Sequence, residues 1–141
     1  MRAKDQWKIV SKCNKPILEY LKSCDGTNQT LIDFGCGMGT LSDLARSKGF
    51  QVTSIDLGDT PYKFNLKIDA RNITEYYDYI IGSGFPPQYL PKKLNCKYFI
   101  FSTSRNDFKS KYPGELFIYS KSVFVKTNIP NFISNNKYYI L

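Results

Sequence analysis

Two acidic residues and three glycines have the types and the spacing that chemistry would need. Asp33 is followed at alternate positions by Gly35, Gly37 and Gly39, and Asp56 comes 23 positions after Asp33. Glycine is required where a backbone takes positive φ or where a ligand approaches it closely. A carboxylate about 20 residues beyond a nucleotide-binding glycine turn can accept hydrogen bonds from both ribose hydroxyls. The spacing therefore predicts a site for a flat, nucleoside-sized ligand, with Asp56 at its ribose.

The glycine spacing separates two kinds of nucleotide site. A dinucleotide-binding turn reads G-x-G-x-x-G, which would need a glycine where this sequence has Ser42. The pattern Asp33-x-Gly35-x-Gly37-x-Gly39 instead resembles the first motif of class I S-adenosylmethionine-dependent methyltransferases. The resemblance implies S-adenosylmethionine as the cofactor, with Asp33 near its methionine ammonium group. The alternative is a tight strand-to-helix turn that holds no ligand.

The elements that must position these residues alternate between strand and helix. Residues 40–48 form an amphipathic helix, which Thr40 and Asp43 are predicted to cap and which stops at Gly49. Only seven residues, 57–63, join the second and third strands, so a crossover helix there has one turn at most. Apolar runs predict strands at 29–33, at 51–57, at 64–68 with one face exposed, from residue 79, and at 95–102.

Both ends of the chain add further elements. Helical spacing predicts a leading helical region over residues 4–24 that covers the sheet. Apolar and polar residues alternate over part of residues 115–126, which predicts a long strand or a hairpin that turns at 120–122. Residues 137–141 are predicted to add a last strand. The resemblance implies a Rossmann-like α/β fold, a mostly parallel seven-stranded sheet with an antiparallel C-terminal pair. Residues 1–141 are predicted to form one domain.

The resemblance also assigns roles at the strand ends. It places Asp69, which follows the third strand, at the adenine amino group. The positions that match the family's cofactor contacts are Asp33, Gly35, Cys36, Gly37, Gly39, Asp56, Leu57, Asp69, Ala70 and Gly82.

The loop after the fourth strand is where the resembled family carries its reactive chemistry. This loop, residues 82–89, is similar to the Asp/Asn-Pro-Pro-aromatic loop of amino-group methyltransferases of nucleic acids, but Phe85 stands in the acidic or amide position. It also resembles the Gly-Gly-Phe-Pro-Cys-Gln loop of cytosine-5 DNA methyltransferases, within a likeness over residues 31–89. Pro87 replaces the nucleophilic cysteine, so covalent catalysis of that kind is excluded there. The candidates for orienting an acceptor are Ser83, Gln88 and Tyr89.

Composition and charge limit the function further. The chain has no histidine, which excludes histidine acid-base catalysis and Ser-His-Asp triads, and its four cysteines are too far apart for a C-x-x-C metal site. Residues 92–141 carry 9 basic and 2 acidic side chains, whereas residues 1–91 carry 11 and 10. This basic half favours RNA or DNA as the acceptor, with Tyr89, Tyr98 or Phe101 to stack a base. A small-molecule acceptor stays open.

Two function classes fit these observations. The first is a methyltransferase, and the second is a protein that binds S-adenosylmethionine without transferring its methyl group, such as a regulatory or partner subunit. Loops, an oligomer or a partner would supply recognition, because 141 residues leave little room for a recognition domain. The sequence has no apolar run long enough to span a membrane and no secretory signal, so we expect a soluble, cytoplasmic protein.

Overall fold

The computed structural model of the chain describes residues 14–15, 17–85 and 89–102 and the strand residues 116–119, 123–124 and 138–140. Within them, residues 17–22 form helix α1, Thr40–Ser47 form helix α2, and Ala70–Asn72 form a short 3-10 helix. The described strands are β1 Thr30–Phe34, β2 Gln51–Ile55, β3 Asn65–Leu66, β4 Tyr77–Ser83, β5 Lys93–Leu94, β6 Cys96–Ser102, β7 Leu116–Tyr119, β8 Val123–Phe124 and β9 Tyr138–Ile140.

Seven of these strands form one sheet in the order β3-β2-β1-β4-β6-β7-β9. The first five run parallel, β7 is antiparallel to β6, and β9 is antiparallel to β7. The predicted Rossmann-like fold with its antiparallel C-terminal pair is therefore confirmed. The strand order reverses at β1, which has β2 on one side and β4 on the other. Open α/β sheets bind ligands beyond the carboxyl ends of their strands at such a switch point.

The sheet separates two apolar layers, because successive residues of a strand point to opposite faces. On one face Leu31, Ile81 and Ile100 are buried with Ile17 and Leu21 of α1. The predicted packing of the leading helical region on the sheet is therefore confirmed for α1. The opposite face buries a second layer, whose members include Ile32, Phe34, Ala70, Ile80, Leu90, Leu94, Phe99 and Phe101.

The third strand differs from its prediction. It contains only Asn65–Leu66, and the side chains of Phe64, Leu66 and Ile68 are 48%, 49% and 38% exposed. The link from β2 contains no helix, as its length predicted. Without a crossover helix, these apolar side chains stay partly exposed, although Tyr62 and Arg46 pack against the Phe64 ring. The strand is also at the edge of the sheet, where it pairs on one side only.

The interpretation of residues 115–126 as one long strand or a hairpin is wrong. Leu116–Tyr119 pairs with β6, whereas Val123–Phe124 pairs antiparallel with Lys93–Leu94 in a separate two-stranded sheet. The two segments therefore join different partners instead of each other. The predicted helical residues 4–13 lie outside the described residues. In the part of the chain that the structure describes, no helix has the length and apolar character to cross a membrane.

Candidate functional site

The glycine turn joins β1 to α2 at the switch point of the sheet. Gly35, Gly37 and Gly39 have φ angles of 72°, 53° and 82°. The amides of Gly35 and Cys36 both donate to the Ile55 carbonyl at 2.9 Å, which ties the turn to β2. A left-handed backbone costs about 1–2 kcal/mol for a residue with a side chain. The three glycines are therefore needed by the backbone itself, as their spacing predicted.

The Asp56 carboxylate lies against this turn. Its Oδ2 accepts a hydrogen bond from the Gly37 amide at 3.0 Å, and its Oδ1 accepts one from the Gly58 amide at 2.8 Å. Beside it, Leu57 is 46% exposed, and Met38 in the turn is 48% exposed. A carboxylate flanked by exposed apolar side chains suits a nucleoside, which has a polar ribose and a flat apolar base. The ribose contact of Asp56 stays a prediction.

Asp33 lies beneath α2 instead of on the open surface. It is 1% exposed, and its Oδ2 accepts a hydrogen bond from Ser42 Oγ at 2.8 Å. Ser42 Oγ is 2.6 Å from Ser54 Oγ, to which Arg46 Nη2 donates at 3.4 Å. Burial raises the pKa of Asp33 to about 7, although the Ser42 hydrogen bond opposes the shift. The predicted contact between Asp33 and an ammonium group stays a prediction.

The start of α2 differs from the predicted cap. Gly39, not Thr40, occupies the N-cap position, and no side chain caps the helix. Because Gly39 takes the left-handed conformation there, Thr40 is already the first helical residue. The Asp43 side chain accepts a hydrogen bond from Tyr62 Oη at 2.7 Å. The N-terminal end of α2, which has partial positive charge, still follows directly from the glycine turn.

Tyr62 packs on the glycine turn, and the sequence contained no signal for this contact. A Cβ atom at Gly39 would lie 2.2 Å from the Tyr62 ring. Arg46 donates a hydrogen bond to Tyr62 Oη and has its guanidinium carbon 4.6 Å from the centre of the Phe64 ring. The link between β2 and β3 is therefore fastened to α2 through Tyr62 and Arg46. These contacts hold the link where longer crossovers have a helix.

Asp69 and Ala70 lie where the chain leaves β3. Asp69 caps the 3-10 helix, because its Oδ1 accepts from the Arg71 amide at 3.0 Å. Its Oδ2 also binds Arg71 Nη2 at 2.6 Å, and these hydrogen bonds lower the pKa of Asp69. Ala70 is buried in the core. The adenine contacts predicted for the two residues stay predictions, and the pairing with Arg71 was not foreseen.

The loop after β4 brings aromatic side chains to the turn. A Cβ atom at Gly35 would lie 2.9 Å from Phe85 Cδ1, so the Phe85 ring packs on the turn. The ring centre of Tyr89 is 6.4 Å from that of Phe85, and the guanidinium carbon of Arg71 is 5.1 Å from the centre of the Tyr89 ring. Gly82 is buried below Phe85. These residues form a continuous wall that runs outward from the glycine turn.

The structure places the three candidate acceptor residues differently. The Ser83 hydroxyl donates to Asn14 Oδ1. Tyr89 is 38% exposed in the wall just described, and Gln88 lies outside the described residues. Their roles stay predictions.

The residues predicted to contact nucleic acid are mostly buried or outside the described parts of the chain. Of the aromatic residues proposed to stack a base, Phe101 is fully buried and Tyr98 packs against Tyr79 with ring centres 5.0 Å apart. Only Tyr89 among those three is exposed. The basic residues of the loop at 103–114 lie outside the described residues. Nucleic-acid binding by the basic half therefore stays a prediction.

Known proteins are similar to parts of this chain. No protein-family model matches it. A segment is 42% identical over 52 residues to ubiquinone biosynthesis O-methyltransferase of Stutzerimonas stutzeri, and it covers 31% of this chain and 22% of that protein. The chain therefore matches less than a quarter of that relative's length.

Solved structures show the same fold. The 1,6-didemethyltoxoflavin-N1-methyltransferase of Burkholderia thailandensis was solved with bound 1,6-didemethyltoxoflavin and S-adenosylhomocysteine. It has a TM-score of 0.52 and 14% identity, covering 95% of this chain and 77% of that one. Magnesium protoporphyrin IX methyltransferase of Synechocystis PCC 6803, solved with S-adenosylmethionine, has a TM-score of 0.50 and 15% identity, covering 74% and 65%. The fold is thus the Rossmann-like fold of S-adenosylmethionine-dependent methyltransferases.

Proposed function

We propose that the chain binds S-adenosylmethionine at the glycine turn and transfers its methyl group to a small planar acceptor. The observation that carries the proposal is the position of Asp56, whose carboxylate accepts a hydrogen bond from Gly37 at 3.0 Å in a turn with three glycines of positive φ. A ribose-binding acid and a glycine turn at the switch point are the two parts of a nucleoside site on this fold.

The residues at the turn suit this cofactor. Asp56 would bind the ribose hydroxyls, and the exposed apolar side chains of Leu57 and Met38 would pack against the adenine. Asp69 would accept a hydrogen bond from the adenine amino group and would keep its hydrogen bonds from Arg71. When bound, S-adenosylmethionine supplies an electrophilic methyl group on a sulfonium. Asp33 would contribute negative charge beneath the turn whenever its buried carboxyl is ionised.

The protein's own contribution to transfer would be orientation. A bound nucleophile reacts when it is held about 3 Å from the atom it attacks and in line with the leaving group. An acceptor that is already nucleophilic needs little general-base help, so a chain without histidine can perform this reaction. Ser83 ends β4, and Tyr89 has its ring centre 6.4 Å from that of Phe85. We propose that these two residues, together with Gln88, orient the acceptor.

A small acceptor is favoured over nucleic acid. The relative and the two structural neighbours are named for small-molecule pathways or substrates, and each of those names refers to that protein alone. In this chain Phe101 is buried in the core and Tyr98 is partly buried against it, so Tyr89 is the exposed ring of the three. Nucleic acid is the second candidate, because residues 92–141 carry 9 basic and 2 acidic side chains.

Product analysis tests the proposal. Purified protein is incubated with S-adenosylmethionine and either a small-molecule extract or total RNA and DNA, and the products are identified by mass spectrometry. We expect S-adenosylhomocysteine together with a methylated small molecule. Methylated nucleic acid would instead support the second candidate. Cofactor binding without turnover in both mixtures would identify a non-catalytic binding protein. Other fragments of S-adenosylmethionine, without a methylated product, would indicate that the protein cleaves the cofactor.

A matched pair of variants ties activity to the site. Asp56→Ala removes the carboxylate at the turn, whereas Asp59→Ala removes one that is almost fully exposed and pairs with Lys67 at 2.9 Å. We expect Asp56→Ala to lower kcat/KM strongly and Asp59→Ala to leave it near the wild-type value. Equal activity in the two variants would contradict the assignment of the site.

A further inference from the structure

Three side chains outside the glycine turn form a surface with a specific chemical character. Phe85 packs on Gly35, the ring centre of Tyr89 is 6.4 Å from that of Phe85, and the Arg71 guanidinium carbon is 5.1 Å from the centre of the Tyr89 ring. The surface therefore begins at the turn with an apolar ring and ends with a cation. A ligand beside the turn that touches Phe85 and Tyr89 would reach Arg71 with its far end.

Arg71 keeps hydrogen-bonding capacity beyond its contact with Asp69. A guanidinium has five N–H donors, which point along more than one edge. Asp69 binds Arg71 at the backbone amide, at Nε and at Nη2. Within the residues that the structure describes, no hydrogen bond involves Nη1 of Arg71. A guanidinium held on one edge by a carboxylate is oriented to bind a second anion on another edge.

The exposure of Arg71 and Tyr89 indicates that these two side chains contribute little to the stability of the fold. The side chain of Arg71 is 52% exposed, and Tyr89 is 38% exposed. An ion pair that solvent reaches at its arginine contributes little to stability, because water screens the attraction between its charges. Exposed aromatic and arginine side chains are the types that recognise ligands through stacking and charge-assisted hydrogen bonds.

We propose that the methyl acceptor is a small aromatic compound that carries an anionic group, a carboxylate or a phosphate. Its ring packs against Phe85 and Tyr89, and its anionic group binds the guanidinium of Arg71. The proposal rests on the proposed function, because it places the acceptor beside the glycine turn. It deepens that function by adding Arg71 as the residue that selects the acceptor by charge.

Matched pairs of aromatic probes test the proposal by equilibrium binding. Catechol is compared with 3,4-dihydroxybenzoate, and phenol is compared with 4-hydroxybenzoate, so that each pair differs only in the carboxylate. Calorimetry and ligand-observed NMR give the affinities with and without S-adenosylhomocysteine. A charge-assisted hydrogen bond predicts that the carboxylate-bearing member binds wild-type protein about tenfold more tightly or better.

Variants assign the discrimination to particular residues. Arg71→Gln should bring the affinity ratio of each pair close to one, and Tyr89→Leu should weaken both members of a pair to a similar extent. Lys67→Gln, which removes an exposed positive charge paired with Asp59, should leave the ratio at its wild-type value. Lys67→Gln should also leave the affinity for S-adenosylhomocysteine unchanged. Because Arg71→Gln removes the partner of Asp69, which the proposed function places at the adenine, the ratios for this variant are compared without S-adenosylhomocysteine.

Several outcomes would overturn the proposal. These are a ratio near one in wild-type protein, a ratio that Arg71→Gln leaves unchanged, or no binding of any probe by protein that binds S-adenosylhomocysteine. If wild-type protein does not bind S-adenosylhomocysteine, the proposed function fails separately. The ratio measured without it then still decides whether Arg71 selects aromatic anions.

Discussion

Two halves of the site are built by different kinds of interaction. We call the glycine turn, Asp56 and the polar network below α2 the cofactor half, and we call Phe85, Tyr89 and the Asp69–Arg71 pair the acceptor half. In the cofactor half, positive φ angles and buried hydrogen bonds fix the backbone. In the acceptor half, ring contacts and an ion pair whose arginine is 52% exposed hold the side chains.

This difference matches the different demands of the two ligands. A constant cofactor is bound best by groups that are held in place before it arrives, because little ordering is then required on binding. An acceptor site is changed most easily when its residues contribute little to the stability of the fold. We therefore expect substitutions in the cofactor half to destabilise the fold and substitutions in the acceptor half to be tolerated.

The largest expected effect comes from adding one methyl group to the glycine turn of the cofactor half, with a buried glycine of β4 below Phe85 as the comparison. Gly39→Ala places a Cβ 2.2 Å from the Tyr62 ring at a φ of +82°, so we expect a loss of about 2–5 kcal/mol in the free energy of unfolding. Gly82→Ala, whose Cβ has its nearest neighbour at 3.5 Å, should cost less than about 1 kcal/mol. Urea denaturation measures both losses, and equal losses would show that the glycine turn is no more sensitive to an added methyl group than the buried strand β4.

The next largest effect is the pH dependence of the free energy of unfolding, which Asp33 in the cofactor half produces. Burial raises its pKa from 3.8 to about 7, so between these values the folded state keeps a proton that the unfolded state has lost. Stability should therefore fall as the pH rises through this window. The chain has no histidine, so few other side chains titrate there.

Asp33→Asn should remove most of this fall in stability with rising pH. We expect the free energy of unfolding of wild-type protein to fall by about 2–3 kcal/mol between pH 5 and pH 8, and that of the variant to change much less. Asp25→Asn is the control, since Asp25 is exposed and its pKa is lowered by the Thr27 hydroxyl, which keeps its titration outside this range. A wild-type slope in Asp33→Asn would show that Asp33 is not the titrating group.

The smallest effect tests whether the link over the turn belongs to the cofactor half. Tyr62→Phe removes the hydroxyl that donates to Asp43 and accepts from Arg46, and it keeps the ring on Gly39. We expect a loss of about 1 kcal/mol in the free energy of unfolding. Tyr76→Phe removes a more exposed hydroxyl, 3.4 Å from Asp78, and should cost less than about 0.5 kcal/mol. A reversed order would mean that the Tyr62 hydroxyl is not a fixed part of this half.

The sequence predicted the cofactor half far better than the acceptor half, for a physical reason. Positive φ needs glycine, and a parallel strand needs an apolar run, so Gly35, Gly37 and Gly39 and the strands around them are visible in the residue types alone. The position of Asp56 followed in the same way, because the length of a strand-turn-helix-strand unit fixes the distance along the chain.

The contacts that sequence could not predict join residues far apart in the chain. Tyr62 packs on Gly39, and Tyr89 stacks with Arg71, through the folding of two loops whose paths no local pattern determines. The burial of Asp33 was also missed, because an acid at a strand end looks the same whether it faces a cleft or a helix. The sequence did not predict Gly39 as the N-cap residue, because Thr40 and Asp43 fit a more common helix-capping pattern.

The most direct test of the cofactor site is calorimetric titration of wild-type protein and Asp56→Ala with S-adenosylhomocysteine and with its 2′,3′-dideoxy analogue. We predict that wild-type protein binds S-adenosylhomocysteine with micromolar affinity and that Asp56→Ala loses about 1–3 kcal/mol of binding free energy. Because the analogue has no ribose hydroxyls, Asp56→Ala should bind it almost as well as it binds S-adenosylhomocysteine. If Asp56→Ala weakens both ligands equally, the carboxylate acts only through the turn that it holds at Gly37. If wild-type protein binds neither ligand, the glycine turn is not a cofactor site in this chain.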